Sequence, residues 1–122
     1  MPQTIEILVV EDELLVRMDI ADHLADRGYV VYEAGNADEA IVILENHKNI
    51  RLIVTDIDMP GSMDGLKLAA AVRDRWPPVK IIVVSGHHTI EVTDLPDGSM
   101  FFSQPYLPSK LVESMRELLS HD

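Results

Sequence analysis

Leu52-Ile53-Val54-Thr55-Asp56-Ile57-Asp58-Met59-Pro60 is the stretch on which the reading of this chain turns. Leu52 to Thr55 are apolar or β-branched and read as the end of a buried strand. That strand runs straight into one carboxylate, then a second two residues on, then a proline that stops regular structure. An acid at the carboxyl end of a buried parallel strand stands where open α/β sheets place their chemistry. An isolated aspartate there would most simply be a turn former. Asp56 is not isolated, because the first strand of the chain also ends in acids.

Working outward, Ile5 to Val10 is a short β-branched run, followed at once by Glu11, Asp12 and Glu13. Leu14, Met18, Ala21, Leu24 and Ala25 recur at helical spacing, with Asp19, Asp22, His23 and Asp26 opposite, and Gly28 closes the helix as a left-handed cap. Tyr29 to Ala34 is a second strand. Asn36 with Glu39 resembles a capping box, and Ala37, Ala40, Ile41 and Leu44 give the next helix its inner face. The third strand is Arg51 to Thr55. Asp64 caps a helix running to about Trp76, with Leu68, Ala69, Val72 and Trp76 inward, before Pro77-Pro78 ends it. Lys80 to Val84 is a fourth strand and Met100 to Phe102 a short fifth. Pro108 suits a first helical position, and Leu107, Leu111, Met115, Leu118 and Leu119 form an apolar stripe. Residues 86–99, with β-branched residues, Pro96 and Asp97-Gly98, predict a short or irregular fourth helix.

Strands alternating with helices, each strand nearly continuously apolar, imply a doubly wound parallel sheet with helices on both faces. Five such strands most often take the order 2-1-3-4-5, which makes strands one and three neighbours. Glu11, Asp12 and Asp56 then meet at one edge of the sheet. Nothing suggests a repeat or a linker, so residues 1–122 read as one α/β domain.

The bulk numbers limit the partners. A formal charge of −11 makes the chain a poor ligand for nucleic acid or anionic lipid. The sequence has no cysteine, which excludes disulfides and thiolate metal sites and fits a reducing compartment. No apolar run approaches a membrane span, so a cytoplasmic location is expected. Clustered carboxylates repel one another and require a cation or shared protons. Oxygen ligands in a hydrated cleft favour a hard divalent ion such as Mg²⁺. A cation there would make Asp56 a usable nucleophile toward phosphorus. Ser85, at the end of the fourth strand, faces the same edge.

These pieces, in this order, resemble the receiver domain of two-component response regulators, over nearly the full chain. The matching segments are Ile7-Leu8-Val9-Val10-Glu11-Asp12-Glu13, Asp56-Ile57-Asp58-Met59-Pro60 with Asp64-Gly65, Val83-Val84-Ser85-Gly86, and Phe101-Phe102-Ser103-Gln104-Pro105-Tyr106. The resemblance implies a flavodoxin-like receiver fold and a phosphoryl group accepted onto Asp56 from the phosphohistidine of a sensor histidine kinase or phosphotransfer protein. It implies Mg²⁺ ligated by Asp12 and Asp56, by Glu11 through water, and by the Asp58 backbone carbonyl. It gives Ser85 a place on the phosphoryl oxygen, Phe101 a rotamer change that spreads the signal, Asp58 and His87 an influence on hydrolysis, and Pro105 a preceding cis peptide bond. Such a domain promotes only its own phosphorylation and dephosphorylation and is not otherwise an enzyme.

The chain departs from that pattern in two main places. The family expects a lysine where this chain has Gln104, a neutral donor in place of a cation; the coupling from phosphate to surface should weaken. The irregular 86–99 segment falls where the family has a helix used in dimerisation, so a monomer is expected. One extra residue between Pro60 and Gly65 lengthens the loop over the site. The rival reading is a pseudo-receiver, the same fold used as a protein-binding module. A lesser one is a haloacid-dehalogenase-like phosphatase built on Asp56 and Asp58, which leaves Glu11 and Asp12 without a role. With no output domain in the chain, a receiver of this kind would act on a separate downstream protein or serve as a phosphate relay.

Overall fold

A computed structural model describes residues 4–59, 61, 63–86, 95–96 and 98–120. Strands β1 (Glu6–Val10), β2 (Val30–Ala34), β3 (Ile50–Asp56), β4 (Lys80–Ser85) and β5 (Met100–Ser103) alternate with helices α1 (Leu14–Asp26), α2 (Ala37–Asn46), α3 (Gly65–Arg75) and, after β5, α4 (Pro108–Leu119). The strands form one parallel sheet in the order β2-β1-β3-β4-β5. The doubly wound α/β fold expected from the sequence is therefore the fold observed.

Alternation along each strand builds two cores. Leu8, Val10, Ile53, Ile81 and Val83 pack with Ala40, Leu44, Leu68 and Val72 of α2 and α3. Ile7, Val9, Leu52, Val54, Ile82 and Val84 pack on the other face with Leu24 of α1 and Leu111 and Met115 of α4. Fully burying a side chain of this size contributes about 1.5–3 kcal/mol, so the three central strands, wet on neither face, anchor the domain.

Local signals place the helices. Asn36 accepts the Glu39 N–H at 2.9 Å, and the Glu39 carboxylate reaches back to the Gly35 N–H at 2.9 Å, a capping box displaced by one residue. Asp64 accepts the Lys67 N–H at 2.9 Å and starts α3. Gly28 ends α1 at φ +94°, a left-handed position that favours glycine. Pro108 opens α4 as expected.

Four expected core residues lie elsewhere, among them Ala25, which is exposed on the last turn of α1. Leu14 is 54% exposed and Met18 45%, because α1 buries the expected Ala21 and Leu24 together with Ile20, and its first turn faces solvent. Leu107 precedes α4 and is 65% exposed, whereas Leu111, Met115 and Leu119 do line the core. Residues 87–94 and 97 lie outside the described set; of the segment predicted to be irregular, Gly86, Leu95, Pro96, Gly98 and Ser99 are described and none is helical. Among the described residues, no helix is long and apolar enough to cross a membrane.

Candidate functional site

The site is set by register. Val10 of β1 pairs with Thr55 of β3, so Glu11, just past β1, and Asp56, the last residue of β3, stand side by side at the sheet's end. Asp56 pairs with Val84, and Ser85 of β4 pairs with Ser103 of β5. Strand length alone thus delivers Glu11, Asp12, Asp56, Ser85 and Gln104 to one end of the sheet, flanking the point where the chain winds in opposite directions.

Carboxylate oxygens of Glu11, Asp12 and Asp56 all lie within 4.8 Å of one another. Asp12 is exposed, whereas Glu11 keeps only 4% of its surface and Asp56 9%. Burial pushes the Glu11 carboxyl up to about 8, the Glu13 N–H opposes this, and the neighbouring Asp12 and Asp56 add to it. Asp56 is also raised by burial, restrained by the Asp58 N–H at 3.2 Å and by a hydrogen bond from Glu11. At neutral pH the metal-free site therefore holds a proton on Glu11 and directs it at Asp56. Three hard oxygen donors that cannot all ionise together fit a small divalent cation, and Mg²⁺ accepts such a set while keeping several waters.

The other expected residues surround this cluster. Asp58 is half-buried just beyond Asp56. Ser85 is fully buried, and its carbonyl accepts the Gln104 N–H at 2.8 Å. The Gln104 side chain lies over Gly86, its Oε1 3.0 Å from where a Cβ at that glycine would stand. The Gln104–Pro105 peptide bond is cis, as expected. Lys80 begins β4, at the opposite end of the sheet, and Lys110 pairs with Glu113 at 3.6 Å on the surface of α4. Phe101 is half-buried against the α2–α3 core, and Phe102 faces the other core with its ring centroid 5.6 Å from that of Tyr106. His87 lies outside the described residues.

Four residues at the site had no role in the sequence reading. The buried Thr55 hydroxyl donates to the Asp56 carbonyl at 3.0 Å. Gly65 donates its N–H to the Ile57 carbonyl at 3.0 Å and touches the backbone of Asp56. Arg17 donates to the Glu11 carbonyl at 2.9 Å. Tyr106, its phenol pushed up to about 12 by burial and then by Glu11, Asp19 and Asp56, faces the acids from the α4 side. Gly65 and Tyr106 sit inside quoted motifs; nothing local signals Thr55 or Arg17.

The sequence profile of the response regulator receiver domain matches residues 7–95. An NtrX-like response regulator of Rickettsia conorii is 35% identical over 112 residues, covering 88% of this chain and 23% of that protein. The sensor kinase CckA of Brucella abortus is 35% identical over 117 residues, covering 93% of this chain and 12% of that protein. The chain thus spans under a quarter of the length of these two relatives. Among solved structures, a response regulator receiver protein from Sinorhizobium medicae superposes with a TM-score of 0.90 at 27% identity, covering 98% of this chain and 97% of the other. The receiver domain of NtrX from Brucella abortus does so with a TM-score of 0.86 at 31% identity, covering 95% and 99%. A profile spanning most of the sequence, on a fold shared from end to end, assigns the chain to the response regulator receiver domain family, the receivers of two-component systems.

Proposed function

We propose that the chain is a phosphoacceptor, taking a phosphoryl group onto Asp56 from the phosphohistidine of a sensor histidine kinase or phosphotransfer protein. The observation that carries this reading is the convergence of Glu11, Asp12 and Asp56 within 4.8 Å at the carboxyl edge of the sheet. Asp56 Oδ attacks phosphorus, the new P–O bond forms as the P–N bond breaks, and the imidazole leaves with its electron pair. Glu11, Asp12, Asp56 and the Asp58 carbonyl would hold Mg²⁺, which when bound offsets the charge of the transferring phosphoryl group. The Asp58 N–H steadies one Asp56 oxygen, the Ser85 hydroxyl receives a phosphoryl oxygen, and Gln104 offers a neutral amide from the β4 side. Phe101, against the α2–α3 core, carries the change toward the surface, and His87 modulates hydrolysis. Leu14 and Leu15, exposed two and three residues past Asp12, give an apolar rim against which a helical donor can seat its histidine. The domain works in the cytoplasm, as a monomer, and passes its signal to a downstream protein.

Intact mass after incubation with acetyl phosphate and Mg²⁺ tests this: the chain gains one phosphoryl group, and Asp56→Asn gains none. A wild-type chain that gains no mass, from acetyl phosphate or from a phosphohistidine donor, is a protein-binding module instead.

A further inference from the structure

Glu11 is fixed from three directions. Its N–H donates to the Ala34 carbonyl at 3.0 Å, its Oε2 accepts the Glu13 N–H at 2.9 Å, and its carbonyl accepts from Arg17 Nη1 at 2.9 Å. The first is a backbone bond that any chain of this fold could make, and the second ties the Glu11 carboxylate to the turn that opens α1. The third comes from a side chain on α1 that folds back over the turn before it, the direction helical side chains favour.

Arg17 is held in turn. Its Nε lies 3.3 Å from Glu33 Oε1 of β2, its side chain is only 19% exposed, and a Cβ at Gly35 would stand 3.0 Å from Nη1. The guanidinium therefore joins α1, the β1–α1 loop and the end of β2. The loop has little else to lock it, since Glu13 occupies the N-cap of α1 without any side-chain cap. A cation that draws on the Glu11 carboxylate competes with the Oε2 bond to Glu13, whereas the bond from Arg17 uses the Glu11 carbonyl and leaves the carboxylate free to respond.

We propose that Arg17 is a positioning residue for the acidic site, fixing through the Glu11 carbonyl the loop that sets Glu11 and Asp12 against Asp56, with Glu33 holding its other edge. This rests on the reading of those three acids as a Mg²⁺ site. Arginine is required because its planar fork serves the carbonyl and the carboxylate together, which a point donor such as lysine does not.

The test is a Mg²⁺ titration of stripped, full-length protein, followed at the backbone amides of Glu11, Asp12 and Asp56. Arg17→Ala weakens binding about tenfold or more, as removal of groups that orient metal ligands does. Arg17→Lys, which keeps the charge, recovers only part of the loss. Glu33→Gln weakens binding in the wild type and adds nothing in Arg17→Ala. In the metal-free protein, amide protection falls at Glu13 in Arg17→Ala while β3 stays protected. Should Arg17→Ala fail to fold, Arg17→Lys and Glu33→Gln carry the test. Wild-type affinity in Arg17→Ala, full recovery in Arg17→Lys or an unaltered Glu13 amide overturns the proposal. If the wild type itself shows no Mg²⁺ response at these amides, the metal reading falls and this inference with it; a responsive wild type beside an equally responsive Arg17→Ala sinks only the role of Arg17.

Discussion

Gly65, the first residue of α3, lies against the backbone of Asp56: a Cβ on it would overlap the Asp56 carbonyl oxygen, 2.7 Å from the carbonyl carbon and 2.8 Å from the Ile57 Cα. Neither side can yield, because the obstacle is main chain at the end of a fully paired strand. The Gly65 N–H bond to the Ile57 carbonyl, 3.0 Å, holds the two segments together. Gly65→Ala therefore displaces α3 or Asp56. It should destabilise the domain by about 1–3 kcal/mol in urea unfolding, the usual cost of overpacking. It should also slow phosphorylation by acetyl phosphate more than a distant substitution of equal destabilisation does. Wild-type phosphorylation in Gly65→Ala would mean that α3 can shift without moving the acceptor.

The proton held by Glu11 makes metal-free stability depend on pH. Its folded value, about 8, lies above its ordinary 4.5, so between these values the native state binds a proton that the unfolded state has released. Stability from this group is complete below about pH 4.5 and is lost as pH rises through about 8. In EDTA, wild-type stability should fall between pH 6 and 8.5, and fall less in Glu11→Gln, which has no proton to lose. Saturating Mg²⁺ should cancel or reverse the slope, since metal and proton compete for the same oxygens. Equal slopes for wild type and Glu11→Gln in EDTA would put the titration elsewhere.

Asp12 is the exposed member of the cluster and the one least committed to protein partners. Asp12→Asn removes a charge without removing bulk. Mg²⁺ affinity should fall, by about tenfold or more if Asp12 is a direct ligand, while the metal-free midpoint of thermal unfolding should rise through relief of repulsion. Calorimetric titration and thermal melts in EDTA check both; unchanged affinity would place the cation away from Asp12.

Much of this was readable beforehand because β1, β3 and β4 are so apolar that the ends of their runs mark the ends of the strands. The acids at those ends, Glu11, Asp12 and Asp56, could then be brought together from strand order alone. The first turn of α1 was not readable. Leu14, Leu15, Val16, Met18, Ile20 and Leu24 point around the whole helix, and only packing decides that Ile20 and Leu24 go inward. Leu107 has the right spacing but precedes the first turn of α4. The contacts of Arg17 with Glu11 and Glu33, and of Gly65 with Asp56, join residues from different elements, and no periodicity encodes them.

Gln104 stands where the sequence resemblance to receivers calls for a lysine. Its N–H is fixed to the Ser85 carbonyl at 2.8 Å and its side chain, which carries no charge, covers Gly86 at the end of β4. Lys80 and Lys110 do not make up the difference, one at the far end of the sheet and the other paired with Glu113 on the surface. A cation about 6 Å from a carboxylate, at an effective dielectric constant near 20, is worth roughly 3 kcal/mol before screening. Gln104→Lys should therefore lower the raised carboxyl values of Glu11 and Asp56 and flatten the metal-free pH slope. It should also reduce the Mg²⁺ needed for phosphorylation. With a phosphoryl mimic bound, Gln104→Lys should enlarge the chemical-shift changes at Ser85 and Phe101, since a charge responds to the phosphoryl group where an amide dipole responds weakly. If the wild type already shows the larger changes and Gln104→Lys adds nothing, the coupling runs through Ser85 alone and the lysine is dispensable in this chain.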